Sequence, residues 1–284
     1  MVANREFDSV MFKPGIIDFA APSTSTWNVS TAVYASLSKL VSAQSSNPRG
    51  ITFSSDGTKM YMLDMSNKAV YQYTLSTAWN VSTAVYASLS VSVSGQTTYP
   101  FGIAFSSDGT KMYIVDWGSQ TVYQYTLSTA WNVSTAVYAS LNVSVSGQSS
   151  NPRGITFSSD GTKMYMLDMS NKAVYQYTLS TAWNVSTASY ASLSISFSAQ
   201  SSNPFGIAFS SDGTKMYIVD NSSQAVYQYT LSTAWNVSTA VYASLNVSVS
   251  GQSSDPRGIA FSSDGTKMYI MDNSSETVYQ YTMH

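Results

Sequence analysis

One spacing governs this chain. The string SSDGTKMY opens at Ser54, Ser106, Ser158, Ser210 and Ser262, each 52 residues after the last. A second landmark, WNVSTA, starts at Trp27, Trp79, Trp131, Trp183 and Trp235 with the same period. Five copies of two independent landmarks define five structural units, each a supersecondary piece that buries its apolar face only against a neighbouring copy. Residues 44–84 are identical to residues 148–188, so a two-unit block of 104 residues has been duplicated with little drift since.

Within a unit the period is that of strands. Residues 50–54 (GITFS) form a short apolar run, and the Asp56-Gly57 pair that follows is a hairpin signal because Gly accepts positive φ. Residues 59–64 (KMYMLD) and 69–75 (AVYQYTL) predict a second and a third strand, separated by a polar turn at 65–68. After the Trp79 loop, residues 85–93 (VYASLSVSV) alternate as an outer strand with one face packed and one wet. Four antiparallel strands per unit, repeated around an axis, predict an all-β five-bladed β-propeller, a form that protects sheet edges by radial repetition. The chain ends on a third strand (276–283) and supplies an orphan fourth strand near its start (31–38). The N-terminal strand is therefore expected to pair into the last blade and close the ring. The expected organisation is a non-repeat arm, 1–26, and a propeller, 27–284.

Composition removes several function classes. Charged residues are 10% of the chain and the formal net charge is −2, so no basic footprint exists for nucleic acid. No apolar run reaches membrane-spanning length, and residues 1–19 lack the continuous apolar stretch of a secretory signal. With no cysteine there is neither a disulfide framework nor a thiolate metal site.

The segment 206–229, GIAFSSDGTKMYIVDNSSQAVYQY, resembles the blade motif of the NHL, YVTN and gluconolactonase-like propellers: a Gly-x-x-x-Ser strand, an x-Asp-Gly turn, a Tyr-x-x-Asp strand and a Val-x-x-Tyr strand. The resemblance runs from about residue 30 to the end. It implies the propeller fold, while the families themselves include enzymes, binding scaffolds and structural modules. A gluconolactonase-like enzyme would carry a metal in its central channel, held by carboxylate and amide groups. The channel-mouth positions of this chain are occupied otherwise, which makes lactonase-like chemistry the least expected of three readings.

Chemistry finds few obvious places to sit. The single histidine is the terminal His284. Ten of the fifteen acidic residues fall into two repeated classes: the hairpin turns (Asp56, Asp108, Asp160, Asp212, Asp264) and the second-strand ends (Asp64, Asp116, Asp168, Asp220, Asp272). Both read as turn residues bonding local backbone. No catalytic residue, metal site or cofactor is expected. The variation between blades lies at the entry to the innermost strand: NPRG at 47 and 151, DPRG at 255, YPFG at 99 and NPFG at 203. Arg49, Phe101, Arg153, Phe205 and Arg257 are expected to ring one channel mouth, with Trp117 beside them and the Arg257–Arg49 neighbours as a seat for an anion or partner. Trp27, Trp79, Trp131, Trp183 and Trp235 read as plugs between blades, or as stacking platforms for sugars in a lectin. The Asn-Val-Ser sequons that follow them read as turn caps.

In the N-terminal arm, Phe7, Phe12, Ile16, Ile17 and Phe19 suggest an anchor into a larger protein assembly. Taken together, these features lead to the expectation of a non-enzymatic display module on a phage or virus particle, or on an extracellular surface reached without a classical signal peptide. A glycan-binding lectin stands second and a lactonase-like enzyme third. No nucleic-acid partner and no membrane insertion are expected.

Overall fold

The computed structural model describes residues 26–284. Twenty strands form five separate four-stranded antiparallel sheets. The first blade runs β2 (Pro48–Phe53), β3 (Lys59–Asp64), β4 (Ala69–Leu75) and β5 (Ala84–Ser92) from axis to rim. The innermost strands of the next three blades are β6 (Pro100–Phe105), β10 (Pro152–Phe157) and β14 (Pro204–Phe209). The last blade consists of β18 (Pro256–Phe261), β19 (Lys267–Asp272) and β20 (Thr277–Thr282), completed by β1 (Val33–Leu40). The expected closure is thus present: Tyr34 faces Tyr281 and Lys39 faces Val278 across the β1–β20 ladder. Each innermost strand starts at its proline, two residues before the apolar run predicted from the sequence. Pro lacks an N–H, so it is tolerated as the first residue of a strand.

Packing between blades repeats as faithfully as the sequence. Tyr61 of β3 is fully buried, with its ring 4.6 Å from Phe105 in the next blade and its hydroxyl donating to the Trp131 carbonyl at 2.7 Å. The equivalent hydroxyl bonds are Tyr113–Trp183, Tyr165–Trp235, Tyr217–Trp27 and Tyr269–Trp79. A second set pins the short 3-10 turn of each WNVSTA segment to the preceding blade: the Val133 N–H donates to Gln72 Oε1 at 3.0 Å, and the Val29 N–H to Gln228 Oε1 at 3.0 Å. The same bonds span the closing junction, where the Val81 N–H donates to Gln280 Oε1 at 3.1 Å. Among the described residues, no helix is long and apolar enough to cross a membrane.

Five blades leave a narrow axis, and the innermost strands show how narrow. A Cβ added at Gly102 would lie 2.8 Å from the Arg153 carbonyl oxygen and 2.8 Å from Val115 Cγ1. One added at Gly50 would lie 2.8 Å from Ile103. Glycine at the third position of these strands is what lets neighbouring backbones approach this closely.

Candidate functional site

The residues facing the axis divide the channel into two unequal mouths. Ile51, Ile103, Ile155, Ile207 and Ile259 line both, forming an apolar waist. On the hairpin side a funnel of about 350 Å³ opens, walled by Phe53 and its equivalents, by Thr52, Ala104, Thr156, Ala208 and Ala260, and by tryptophan rings. On the other side a cavity of only about 30 Å³ lies beneath Arg49, Phe101, Arg153, Phe205 and Arg257. That volume is close to the share of a single water molecule.

At the hairpin mouth the tryptophans are built into the turns. Trp79 holds φ at 63°, donates its N–H to the Gly57 carbonyl at 2.9 Å, and lays its ring over Gly57, where a Cβ would fall 2.2 Å from the ring. Trp27, Trp131, Trp183 and Trp235 repeat the arrangement, each half-buried and stacked on a tyrosine of another blade at 6.2 to 6.4 Å. The sequon asparagines cap the adjoining 3-10 turns, as at Asn80, whose Oδ1 accepts the Ser82 N–H. The turn aspartates are equally committed. Asp56 accepts from the Ser54 hydroxyl at 2.6 Å and from the Thr58 N–H at 3.0 Å. These bonds, Ser54 first, hold its carboxyl down at about 2.

The opposite mouth is where the blades differ, and the five expected side chains do meet there. They do not form an even collar. The Arg153 guanidinium lies 3.7 Å over Phe101, 5.4 Å from Phe205 and 5.0 Å from Trp117, while the two Phe rings approach each other at 6.4 Å. Arg49 sits 5.0 Å from Phe101, and Arg257 stacks 3.8 Å over Phe205. The expected Arg257–Arg49 seat takes another form, because Arg257 Nε makes ion-pair contact with Asp255, its N–H directed off the oxygen rather than along a hydrogen bond. Burial, then repulsion from Arg49 and Arg257, pushes the Arg153 guanidinium down to about 9. Burial followed by the Arg257 charge brings Arg49 to about 10.

Three residues passed over in the sequence make a polar corner here. Asp255 accepts from Asn221 Nδ2 at Oδ1 and from Asn273 Nδ2 at Oδ2, the latter at 2.8 Å. Asn203 Nδ2 donates to Asn221 Oδ1 at 3.2 Å. The signal was available column by column. The loop position reads Asn47, Tyr99, Asn151, Asn203, Asp255, and the turn position reads Met65, Trp117, Met169, Asn221, Asn273. Asp255 is the one acid in its column, and the turn column changes from apolar to amide in the last two blades. One half of the mouth is consequently aromatic and thioether-lined, the other polar with one carboxylate.

The second-strand aspartates lie on this same face but are spent on architecture. The Asp168 carboxylate accepts from the Ser149 hydroxyl at 2.6 Å and the Asn151 N–H at 2.7 Å. Burial alone would raise Asp220 and Asp272, but hydrogen bonds from Ser201, Ser223, Asn203 and from Ser253, Ser275, Asp255 outweigh it and lower both. No group of three or more His, Cys, Asp or Glu among the described residues could hold a metal. A mouth lined by three guanidinium groups does not fit the divalent cation implied by a gluconolactonase-like resemblance. By contrast, every buried side-chain nitrogen or oxygen without a hydrogen bond among the described residues belongs to this mouth: Asn47, Arg49, Asn151, Arg153, Arg257 and Asn273 supply them. The proposed anchor residues Phe7, Phe12, Ile16, Ile17 and Phe19 lie outside the described residues.

Residues 97–284 match the family model described as "Lactonase, 7-bladed beta-propeller". No curated protein sequence matches the chain. Among solved structures, a putative 6-phosphogluconolactonase from Bacteroides uniformis ATCC 8492 is similar at 14% identity and a TM-score of 0.51, covering 82% of this chain and 66% of its own. A putative 6-phosphogluconolactonase from Bacteroides fragilis NCTC 9343 is similar at 13% identity and 0.51, covering 82% and 65%. The periplasmic gluconolactonase of Pseudomonas aeruginosa follows at 13% and 0.50, covering 79% and 64%. At these identities the structural likeness is one of fold, and the chain spans just under two thirds of each neighbour.

The family match overturns the expectation of a non-enzymatic display module on a particle, and with it the virion and lectin readings. The error has a physical source. The expectation rested on the lone terminal histidine and on the repetition of the turn aspartates, and it gave no weight to the unrepeated Asp255 and its amide partners beside Arg257.

Proposed function

This chain belongs to the lactonase β-propeller family, with five blades in place of seven, and from that premise we propose that it is a lactonase-like hydrolase with its reaction centre at the Asp255 corner of the arginine mouth. The observation that carries the reading is the meeting of one unrepeated carboxylate with a guanidinium and two amide groups at the arginine mouth. The names of the structural neighbours suggest a sugar-acid lactone as substrate class.

Lactone hydrolysis needs a base for water and positive charge where the carbonyl oxygen becomes an oxyanion. Asp255, fixed by Asn221 and Asn273, takes a proton from water as its oxygen attacks the ester carbon. Arg257 faces the developing oxyanion, and the aromatic half of the mouth excludes bulk water and strengthens that attraction. The ring C–O bond then breaks, and the proton held by Asp255 passes to the departing alkoxide, giving a hydroxy acid. Arg257 thus has two roles: it positions Asp255 in the resting site and meets the oxyanion during the step.

The test is hydrolysis of δ-gluconolactone by the purified chain, followed by pH-stat and corrected for the spontaneous reaction. Asp255→Asn removes the base while keeping one acceptor oxygen for the flanking amides, and is expected to lower turnover by about 10²- to 10⁴-fold. Absence of turnover above background across sugar-acid lactones, or an Asp255→Asn variant as fast as the parent, would overturn the reading.

A further inference from the structure

The step at Asp255 leaves the most buried cation of the mouth without a task. Arg153 is 8% exposed, and its Nε and Nη1 are both buried without a hydrogen-bond partner. Arg49 Nε is in the same condition. Among the described residues no carboxylate pairs with either guanidinium: Asp255 and Asp64 act on Arg49, and Asp168 on Arg153, only at a distance, Asp64 and Asp168 with oxygens taken by serine and backbone donors and Asp255 turned to Arg257. Leaving charged donors buried and unpaired costs more than leaving neutral ones so, and the depressed acidity range of both groups reflects that cost.

We propose that Arg153 and Arg49 form a seat for a carboxylate group, separate from the Asp255 corner, on the aromatic side of the same mouth. Shape and size select the class. The Arg153 guanidinium has a phenyl ring at 3.7 Å and an indole ring at 5.0 Å, and its side chain lines the cavity, so its unpaired N–H groups are what an acceptor entering there would meet. A guanidinium edge pairs with a planar acceptor lying in its own plane. The space beneath is about 30 Å³, closed from behind by the isoleucine waist. A flat, singly charged carboxylate head is far better matched to it than a tetrahedral, doubly charged phosphate, whose burial costs more. The adjoining Tyr99 and Trp117, ring centroids 5.3 Å apart and 47% and 36% exposed, form an open wall for the rest of the molecule. The seat does not depend on the hydrolytic reading, because binding there requires no turnover.

Trp117 lies close enough to Arg153 for its fluorescence to report occupancy. Titration of the full chain with sodium acetate and sodium gluconate, against inorganic phosphate and sulfate at constant ionic strength, is expected to give saturable fluorescence changes and a raised Tm with the carboxylates alone. Arg153→Lys, which keeps the charge but not the planar edge, is expected to weaken carboxylate binding at least tenfold, and Arg49→Lys by a smaller factor. Asp255→Asn is expected to leave that affinity within about threefold of the parent while lowering hydrolysis by about 10²- to 10⁴-fold, so the two proposals fail separately. Preference for phosphate or sulfate would overturn the carboxylate assignment. No saturable response to any anion by about 100 mM, or a response that both lysine variants leave intact, would overturn the seat. Should Arg153→Lys fail to fold, the Arg49→Lys variant decides.

Discussion

The two mouths of the channel are made from the same five strands and obey opposite rules. At the hairpin mouth every blade repeats the same tryptophan, turn and cap, and the turn aspartates, cap asparagines and tryptophan backbones all have hydrogen-bond partners. At the arginine mouth the loop, collar and turn positions vary between blades, and the buried side-chain atoms left without hydrogen bonds gather there. Repetition in this protein serves architecture, and a break in repetition marks a place where saturation has been given up. Unsatisfied buried groups are expensive, so their concentration at one end makes that end the candidate site.

The comparison can be broken most forcefully at the tryptophans. Trp183→Ala removes a ring packed on Tyr113 and Phe157 and uncovers the Gly161 turn. It is expected to cost about 3 kcal/mol in urea unfolding, at the lower end for Trp to Ala because the ring is only half-buried. Trp117→Ala, at the other mouth, removes edge contacts with Tyr99 and Phe101 and is expected to cost about 1 kcal/mol or less. Equal losses would mean that the two ends are not divided between architecture and binding.

The waist offers the next largest effect. Gly102→Ala drives a methyl into the Arg153 carbonyl and Val115, neither of which can retreat without parting two blades. A loss of about 2 kcal/mol is expected, with a lowered Tm. Gly95→Ala meets nothing within 4 Å and is expected to change stability by about 0.5 kcal/mol at most. A neutral Gly102→Ala would show that the blades can spread, and the small volume under the arginines would lose its meaning.

Most of the fold was legible because the repeat states each rule five times. The strand periods, the Asp-Gly turns and the orphan strand at residues 31–38 led to a closed five-bladed ring, and β1 pairs with β20 as that reading required. The site was legible only in part. The Arg/Phe alternation was visible as a broken column, but its geometry was not, since the sequence cannot show that Phe101 and Phe205 meet across the axis with Arg153 stacked against them. Asp255 was in plain view as the only acid in its column. It was missed because its partners Asn221 and Asn273 stand 34 and 18 residues away in sequence and become neighbours only when the second- and third-strand turns fold over the mouth.

Within the arginine mouth the same comparison sharpens to two residues of one type. Arg257→Met strips Asp255 of its cation and leaves a partly buried carboxylate held by amides alone, for an expected loss of about 1–2 kcal/mol. Arg153→Met removes an unpaired buried charge and restores apolar contact with Phe101, so stability is expected to hold or to rise by up to about 1 kcal/mol. Thermal melts in an anion-poor buffer would decide between them. A strong destabilisation by Arg153→Met would show that the guanidinium is structural cement rather than a vacant binding group.

The smallest effect concerns acid, and it tests the hairpin mouth alone. Asp56, Asp108 and Asp160 are held down at about 2, with Asp212 and Asp264 shifted the same way, chiefly through serine and threonine donors. A carboxyl whose folded value lies below its unfolded value near 3.8 binds fewer protons in the native state. Its stabilisation is therefore complete above about pH 4 and is lost as pH falls through about 2. Each group is exposed and screened by solvent, so a single turn contributes little and the five must be changed together. Asn at all five positions keeps an oxygen for the same donors but carries no titrating charge. The parent is expected to melt at a steady temperature from pH 7 to about 5 and progressively lower toward pH 2, while the five-Asn variant shows a shallower fall, the remainder arising from Asp220 and Asp272 at the other end. An undiminished fall in the variant would place the acid sensitivity at the arginine mouth instead, where loss of the carboxylates would leave three guanidinium groups facing one another.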